Sequence, residues 1–323
     1  MDRNRLALNR WVVLGRAGID FYAEPPGARV EEADRFFAAL GGSAANVAVG
    51  IARLGGAAFL LTKISNDAVG RFVSENLRRY GVDGAYVDAV GGQARTSLAV
   101  VATRNDDTQS TIYRNGAADF ALTTDDVAKV PFAEFGALIA TGTALAAEPS
   151  RSAALAAASR ARAQGAGVFF DVDYRPYSWS DPAEAAAVCG RLAALSDVVV
   201  GNDEEFSMLT QGGDGEAFAR RLAAEGRIVI YKMGARGAKS FSGGQAWTNG
   251  VFATQAIKPT GAGDAFLAGF ATGLAHGLAV DAAVVRGSGA AAIVVSRVGC
   301  APAMPDPAEL DAFLGAAAPL SFQ

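Results

Sequence analysis

The chain has 323 residues, 51% of them hydrophobic and 19% charged, with a formal net charge of −4. Mean hydropathy is +0.20 and the pI is about 5.2. A chain of this length supports one large core, and its acidic balance excludes the electrostatic footprint of a nucleic-acid or anionic-membrane binder. Its two cysteines, Cys189 and Cys300, are too few and too far apart for a disulfide framework or a zinc site. That usage fits a reducing, cytoplasmic setting. Residues 1–10 contain no secretory-type apolar run. Ser and Arg break the Ala-rich stretches before they reach membrane-spanning length.

Residues 11–15 read as a buried first strand, apolar on both faces. The strand runs into Arg16 and Asp20, at or just beyond its carboxyl end, where open α/β sheets build their sites. Residues 21–37 lack a helical period, and Pro25, Pro26 and Gly27 break them into short extended pieces. Gly41 and Gly42 then lead into a helix carrying Val47, Val49, Ile51 and Leu54, with Ser43 as its expected N-cap. The paired glycines suit either a tight strand-to-helix turn or close backbone approach to a ligand. Asn46, one turn in, is placed to hydrogen-bond a polyol. A strand over 58–64, a helix over 67–80 and a short strand over 86–88 follow. Residues 95–102 and 109–114 alternate like a β-hairpin joined by the polar turn 103–108. With the pieces of 16–37, this hairpin predicts a small sheet projecting from the main layer, a lid whose outer face makes a dimer contact.

From residue 137 the pattern becomes regularly α/β. Strands are predicted at 137–141, 168–173, 197–201 and 227–232, with helices at 149–164, 181–194, 203–210 and 214–225. That alternation argues for a parallel, helix-covered sheet. Asp171, Asp173 and Arg175 fall at one carboxyl edge, and Asn202 and Glu205 open the helix after the next strand. The Asn202–Glu205 spacing is that of a capping box, and equally of an oxygen-rich pair able to hold magnesium through water. Lys232, Gly234 and Gly237 lie on a strand-to-strand turn suited to phosphate or adenine contact. The small residues 287–292, Ser288 among them, either leave room for an adenine or let helices pack closely.

The stretch 258–264 (KPTGAGD) concentrates the chemistry. Pro259 and Gly261 prevent a helix before it and the apolar run 265–278 permits one after it, so a helix is predicted to start near 262. The first N–H groups of that helix, with the positive dipole end behind them, make an anion hole. Asp264 either caps the helix or accepts the proton of an alcohol that attacks a phosphate held there. The single histidine, His276, fits a helix C-terminus beside Gly277. Its solitude excludes histidine metal clusters. Neither a P-loop nor a G-x-G-x-x-G after the first strand is present.

The stretches 41–55 (GGSAANVAVGIARLG) and 260–264 (TGAGD), in this order and with Asn202-x-x-Glu205 between them, resemble both signatures of the ribokinase-like (PfkB) carbohydrate kinases. The resemblance spans about residues 10–315. It implies a single α/β domain over 1–323, with a mostly parallel central sheet flanked by helices and a small β lid from about 16–37 and 95–115. It further implies phosphorylation of a sugar hydroxyl by ATP with Mg²⁺, K⁺ being left open, in a homodimer. Carried over by residue, the resemblance makes Asp264 the base and the amides of Gly261, Ala262 and Gly263 the anion hole. Asn202 and Glu205 would organise Mg²⁺ through water, and Lys232, Gly234, Gly237 and Ser288 would lie along the nucleotide. Asp20, Gly42 and Asn46 would hold the sugar.

Within that family, 15–22 (GRAGIDFY), 112–115 (IYRN), 171–176 (DVDYRP) and 297–300 (RVGC) look like the 5-dehydro-2-deoxygluconokinases of inositol breakdown. The likeness implies an acidic sugar, and the guanidinium groups of Arg16, Arg114 and Arg175 suit a carboxylate. Arg175 alternatively meets the phosphates of ATP. Lys258 stands where the family usually has an acidic residue, and would supply positive charge near the phosphates. Kinases of 2-dehydro-3-deoxygluconate, fructose or ribose are the alternatives within the class. Outside it stands a non-catalytic sugar or nucleotide sensor.

Overall fold

Side-chain alternation along the first strand sets the layering. In β1 (Arg10–Leu14), Trp11 and Val13 enter one hydrophobic core while Val12 and Leu14 enter another, because successive residues of a strand point to opposite faces. The structure, a computed structural model, describes residues 1–103, 110–258 and 260–322. Most of the turn expected at 103–108, the expected strand residue Gln109, and Pro259 therefore lie outside the described residues.

After β1 the strands in chain order are β2 (Gly18–Glu24), β3 (Arg35–Gly41), β4 (Ala57–Ser65), β5 (Val87–Val90), β6 (Ser97–Val101) and β7 (Ser110–Tyr113). There follow β8 (Ala137–Thr141), β9 (Gly167–Asp171), β10 (Val198–Asn202), β11 (Ile228–Lys232), β12 (Ala238–Ser242) and β13 (Gln245–Asn249). The larger sheet has the order β13-β12-β11-β10-β9-β8-β1-β4-β5. It is parallel from β5 to β11, and β12 and β13 add antiparallel at one edge. The chain winds from β1 towards β4 and β5, then in the other direction from β8 to β11. The reversal lies between β1 and β8, the position at which open α/β sheets form a crevice.

Helices cover both faces. Ser43–Arg53, Ala68–Arg79, Ala262–Ala275, Val280–Val295 and Pro307–Ala316 pack on the Trp11 side, and Ser150–Ala163, Pro182–Leu195, Asp203–Leu209 and Gly215–Ala224 on the Val12 side. Small residues let two of the helices touch. A Cβ on Gly287 would stand 2.7 Å from Phe266 O, and one on Gly269 would stand 3.1 Å from Gly287 Cα. Of the two readings of 287–292, close helix packing accounts for Gly287, and Gly289 similarly makes room for Leu314.

The smaller sheet, β3-β2-β6-β7, pairs β2 parallel to β6 and antiparallel to β3. Tyr22, Ala39, Ala99, Val101 and Cys300 form its buried side, while Phe36, Phe37 and Tyr113 are exposed. The N-cap expected at Ser43 is corrected by one position. Gly42 is the cap, at φ 97° and with no side-chain hydrogen bond. A Cβ there would lie 2.4 Å from Arg16 O, so only glycine serves both the dihedral and the contact.

Candidate active site

Five strands of the larger sheet end on one cavity of about 700 Å³. Arg16 lies just beyond β1, Thr143 beyond β8, Asp171 and Asp173 at and after β9, Asn202 at the end of β10, and Lys232 and Gly234 at and after β11. The smaller sheet walls the cavity with Asp20 and Arg114, and two helix N-termini close it. One brings Gly42 and Asn46, the other Gly261, Ala262, Gly263 and Asp264. Glu205 and Arg175 complete the set.

The corner around Asp264 is built from the two helix starts. Gly261 caps Ala262–Ala275 in the left-handed region at φ 87°, a conformation suited to glycine. The first amides of that helix, which have no intrahelical partner, belong to residues that line the cavity. A Cβ on Gly263 would stand 3.5 Å from Lys232 Nζ, so that ammonium reaches the same corner. Asn46 Nδ2 donates to Asp264 Oδ2 at 2.8 Å. Burial lifts the Asp264 carboxyl to about 7, the Asp173 carboxylate adds to the rise, and the Asn46 hydrogen bond with the Arg175 and Lys232 charges opposes it. A carboxylate with that value takes up and releases a proton near neutral pH. Asp264 makes no side-chain cap of its own helix, which removes the capping alternative.

On the side of the smaller sheet, Asp20 Oδ2 accepts from Tyr22 OH at 3.1 Å, and Gly41 leaves the room its carboxylate needs, since a Cβ there would lie 2.0 Å from Asp20 Oδ1. Burial raises the Asp20 carboxyl, against the pull of Arg16, Tyr22 and Lys258. Asp20 Oδ1, Asn46 Oδ1 and Asp173 Oδ2 are buried acceptors with no partner among the described residues. Orphaned acceptors at a cavity wall call for donors from a ligand, and a polyol supplies hydroxyls.

The three arginines differ. Arg114 is already committed: it pairs with Asp119, donates to Thr143 O at 2.8 Å, and stacks 4.0 Å over Phe120. Arg175 pairs with Asp173 Oδ1 at 2.7 Å. Burial raises the Asp173 carboxyl, but the Arg175 guanidinium, a Ser43 hydrogen bond and the Arg16 and Lys232 charges together outweigh it and leave the carboxyl below its ordinary value. Arg16 is buried and donates only to Ser97 Oγ, at 3.2 Å, among the described residues. Its own carbonyl accepts from Ala45 N at 3.3 Å, tying its backbone to the helix behind it.

At the other end, Asn202 and Glu205 form a complete capping box, Asn202 Oδ1 accepting from Glu205 N at 2.8 Å and Glu205 Oε2 from Asn202 N at 2.7 Å. Glu205 Oε1 also accepts from Tyr174 N at 3.2 Å. The structural reading of that spacing thus holds, in a pair that also lines the cavity. Asn202 and Lys232 are register partners. Burial would lower the Lys232 ammonium, but Asp171, Glu205, Asp173 and Asp264 hold it above its ordinary value. Among the described residues no group of three or more His, Cys, Asp and Glu side chains gathers to hold a metal. The oxygens here fit a divalent cation that is held by phosphates and reached through water.

Two expected residues are absent from the cavity lining. Gly237 is required by its turn, at φ 97°, where a Cβ would lie 2.1 Å from Asn249 O. Ser288 is half-buried on Val280–Val295, away from this wall. Conversely, Thr143 and Asp171 line the cavity without having been singled out as binding residues. Their position past strand ends of the carboxyl edge was the available signal.

A carbohydrate-kinase site is what this geometry suggests, and comparison decides it. The model described as "pfkB family carbohydrate kinase" matches residues 8–307. The chain belongs to that family. This sugar kinase is 40% identical over 303 residues to the 5-dehydro-2-deoxygluconokinase of Photobacterium profundum, covering 91% of each chain. Its fold is similar to that of a fructokinase with bound ATP from Xylella fastidiosa, with a TM-score of 0.84, 26% identity, and 95% and 98% of the two chains covered. A fructokinase double mutant from Vibrio cholerae O395, in fructose, ADP and potassium ion bound form, gives a TM-score of 0.82 at 30% identity over 94% and 98%. The ribokinase-like α/β fold of the sugar kinase thus stands. Among its described residues no helix is long and apolar enough to cross a membrane.

If Asp264 is the proton acceptor, kcat/KM for the sugar should fall as pH drops through about 7, because only the ionised carboxyl serves. Asn46→Ala removes a hydrogen bond that favours the ionised form, so the acid limb should move to higher pH. A pH–rate profile of both proteins checks this. An unmoved limb in the variant would detach Asn46 from the titrating group.

Proposed function

We propose that this kinase transfers the γ-phosphoryl group of ATP to the terminal hydroxyl of 5-dehydro-2-deoxy-D-gluconate, a step of inositol catabolism. The observation that carries the substrate is Arg16, a buried guanidinium without a paired carboxylate among the described residues, in the lining of the cavity that also holds Asp264. A sugar acid brings the carboxylate it lacks, and a neutral sugar does not. The name of the Photobacterium relative supports the same acid.

In this reading Asp20, Gly42 and Asn46 hold the sugar hydroxyls, with Arg16 on the carboxylate and Arg114 and Arg175 adding positive field. Asp264 takes the proton of the attacking hydroxyl while the Gly261, Ala262 and Gly263 amides and Lys232 steady the moving charge. Bound Mg²⁺-ATP supplies the phosphoryl group and neutralises part of its charge. Asn202 and Glu205 face the Mg²⁺ through water, and Gly234 lies along the nucleotide. Closing of the smaller sheet over the cavity keeps out water as a rival acceptor. The exposed Phe36, Phe37 and Tyr113 on that sheet support a homodimer across it, and the two free, buried cysteines support a cytoplasmic setting.

A coupled ADP-release assay over a sugar panel tests the reading. 5-Dehydro-2-deoxygluconate should give the highest kcat/KM, ahead of 2-dehydro-3-deoxygluconate, fructose and ribose. A neutral sugar in first place would overturn the substrate, and binding without ADP release would favour a sensor.

A further inference from the structure

Lys258 is 2% exposed and sits beneath the start of Ala262–Ala275. Its ammonium donates to Thr260 O, one residue before the cap Gly261, and lies 3.9 Å from Cys300 Sγ. Cys300 in turn packs under the loop, its Sγ 2.7 Å from where a Cβ on Gly261 would be. Tyr22 OH contacts that sulfur at 3.2 Å. The backbone before the loop is pinned as well, Ile257 N and Lys258 N both donating to Val295 O, at 2.8 and 3.3 Å.

No carboxylate forms an ion pair with Lys258 among the described residues, although Asp20 and Asp264 lie close enough to act on it through space. Burying an ammonium without a counter-ion is costly. An apolar side chain of the same length would fill the space without that cost, so packing alone does not account for the charge. The loop does use it. The Thr260 carbonyl is held by the ammonium directly before a helix start whose first amides have no intrahelical partner and whose residues line the cavity.

We propose that Lys258 is a positioning residue whose ammonium acts as a built-in monovalent cation. It holds the Thr260 carbonyl inward, fixes the Gly261–Gly263 anion hole, and removes the need for a soluble monovalent cation. The proposal rests on the carbohydrate-kinase assignment and is independent of which sugar is used.

Turnover is measured in potassium chloride and in tetramethylammonium chloride at equal ionic strength. The wild-type protein should differ by less than about threefold between the two salts. Lys258→Met keeps length and drops charge. It should lower kcat by roughly 10–10²-fold while changing the sugar KM by less than about threefold. Lys258→Ala should recover part of its lost turnover when methylammonium is added, which a space-filling role would not allow. Stimulation of the wild type by potassium of about threefold or more, or wild-type turnover in Lys258→Met, overturns the proposal. Failure of the kinase reading shows separately, as no ADP from any sugar in either salt. The comparison then moves to the rise in Tm given by a non-hydrolysable ATP analogue. That rise should be equal in the two salts for the wild type and smaller in Lys258→Met. A salt-dependent wild-type rise, or an unchanged rise in the variant, overturns the proposal.

Discussion

Asp264→Asn should cut turnover by roughly 10²–10⁴-fold, the span expected when a positioned general base is lost. That corresponds to about 3–5 kcal/mol of activation free energy. The substitution keeps the shape of the side chain and its neighbour Asn46 and removes only the ability to take a proton. Stability should move differently. The folded carboxyl titrates at about 7, above its ordinary 3.8, so the folded state holds the proton more tightly than the unfolded chain. The stability contribution of Asp264 is therefore full below 3.8 and lost as pH rises through about 7. A neutral amide escapes that loss, so at pH 8 the variant should melt no lower than the wild type. Loss of activity together with a retained or raised Tm is the expected pair. Near-normal turnover would remove Asp264 from the role of base.

Arg16→Met should raise the KM for the sugar acid by roughly 10–10²-fold, from the loss of a charge-assisted hydrogen-bonded contact. The kcat should change little, because the contact is distant from the reacting hydroxyl and is made in ground state and transition state alike. Fructose, if it is turned over at all, should be affected far less, and the ratio of the two kcat/KM values is the decisive number. Arg114→Met is a poor substitute for this experiment. Its guanidinium pairs with Asp119 and carries Thr143 O, so its removal leaves a buried acid without a partner. Equal KM changes for acid and neutral sugar in Arg16→Met would end the carboxylate assignment.

Much of this was legible in the sequence, for identifiable reasons. Strands that are apolar on both faces, such as Ala137–Thr141, announce a parallel sheet, and the glycines before two helix starts mark tight turns that line the cavity. The helix Ala262–Ala275 begins where Gly261 and the following apolar run require. Arg16, Asn46 and Asp264 stand on separate segments, yet each follows a strand end or opens a helix, and in this fold both lead to one edge. Asp20, expected at or just beyond the end of the first strand, lies instead inside β2 of the smaller sheet. What the sequence hid was relational. That Arg114 and Arg175 are tied to acids while Arg16 pairs with no carboxylate among the described residues depends on rotamers across three segments. Gly42 rather than Ser43 caps its helix because Arg16 O stands opposite, a contact no local pattern encodes. Gly237 and Ser288 lie outside the cavity lining for the same kind of reason: Asn249 O fixes the first, and helix packing shapes the surroundings of the second.

The division of labour between the two sheets has an evolutionary consequence. Of the residues proposed to read the acceptor, Asp20 and Arg114 sit on or beside the thinner four-stranded layer and Arg16 on the link that leads into it from β1, whereas Asp171, Asn202 and Lys232 belong to the thick layer and its edge. On the proposed roles, drift in the former would retune which sugar is accepted without disturbing the residues assigned to phosphate. A lineage built this way diversifies its diet by editing a few positions on one wall, and an engineer seeking a new acceptor should begin there.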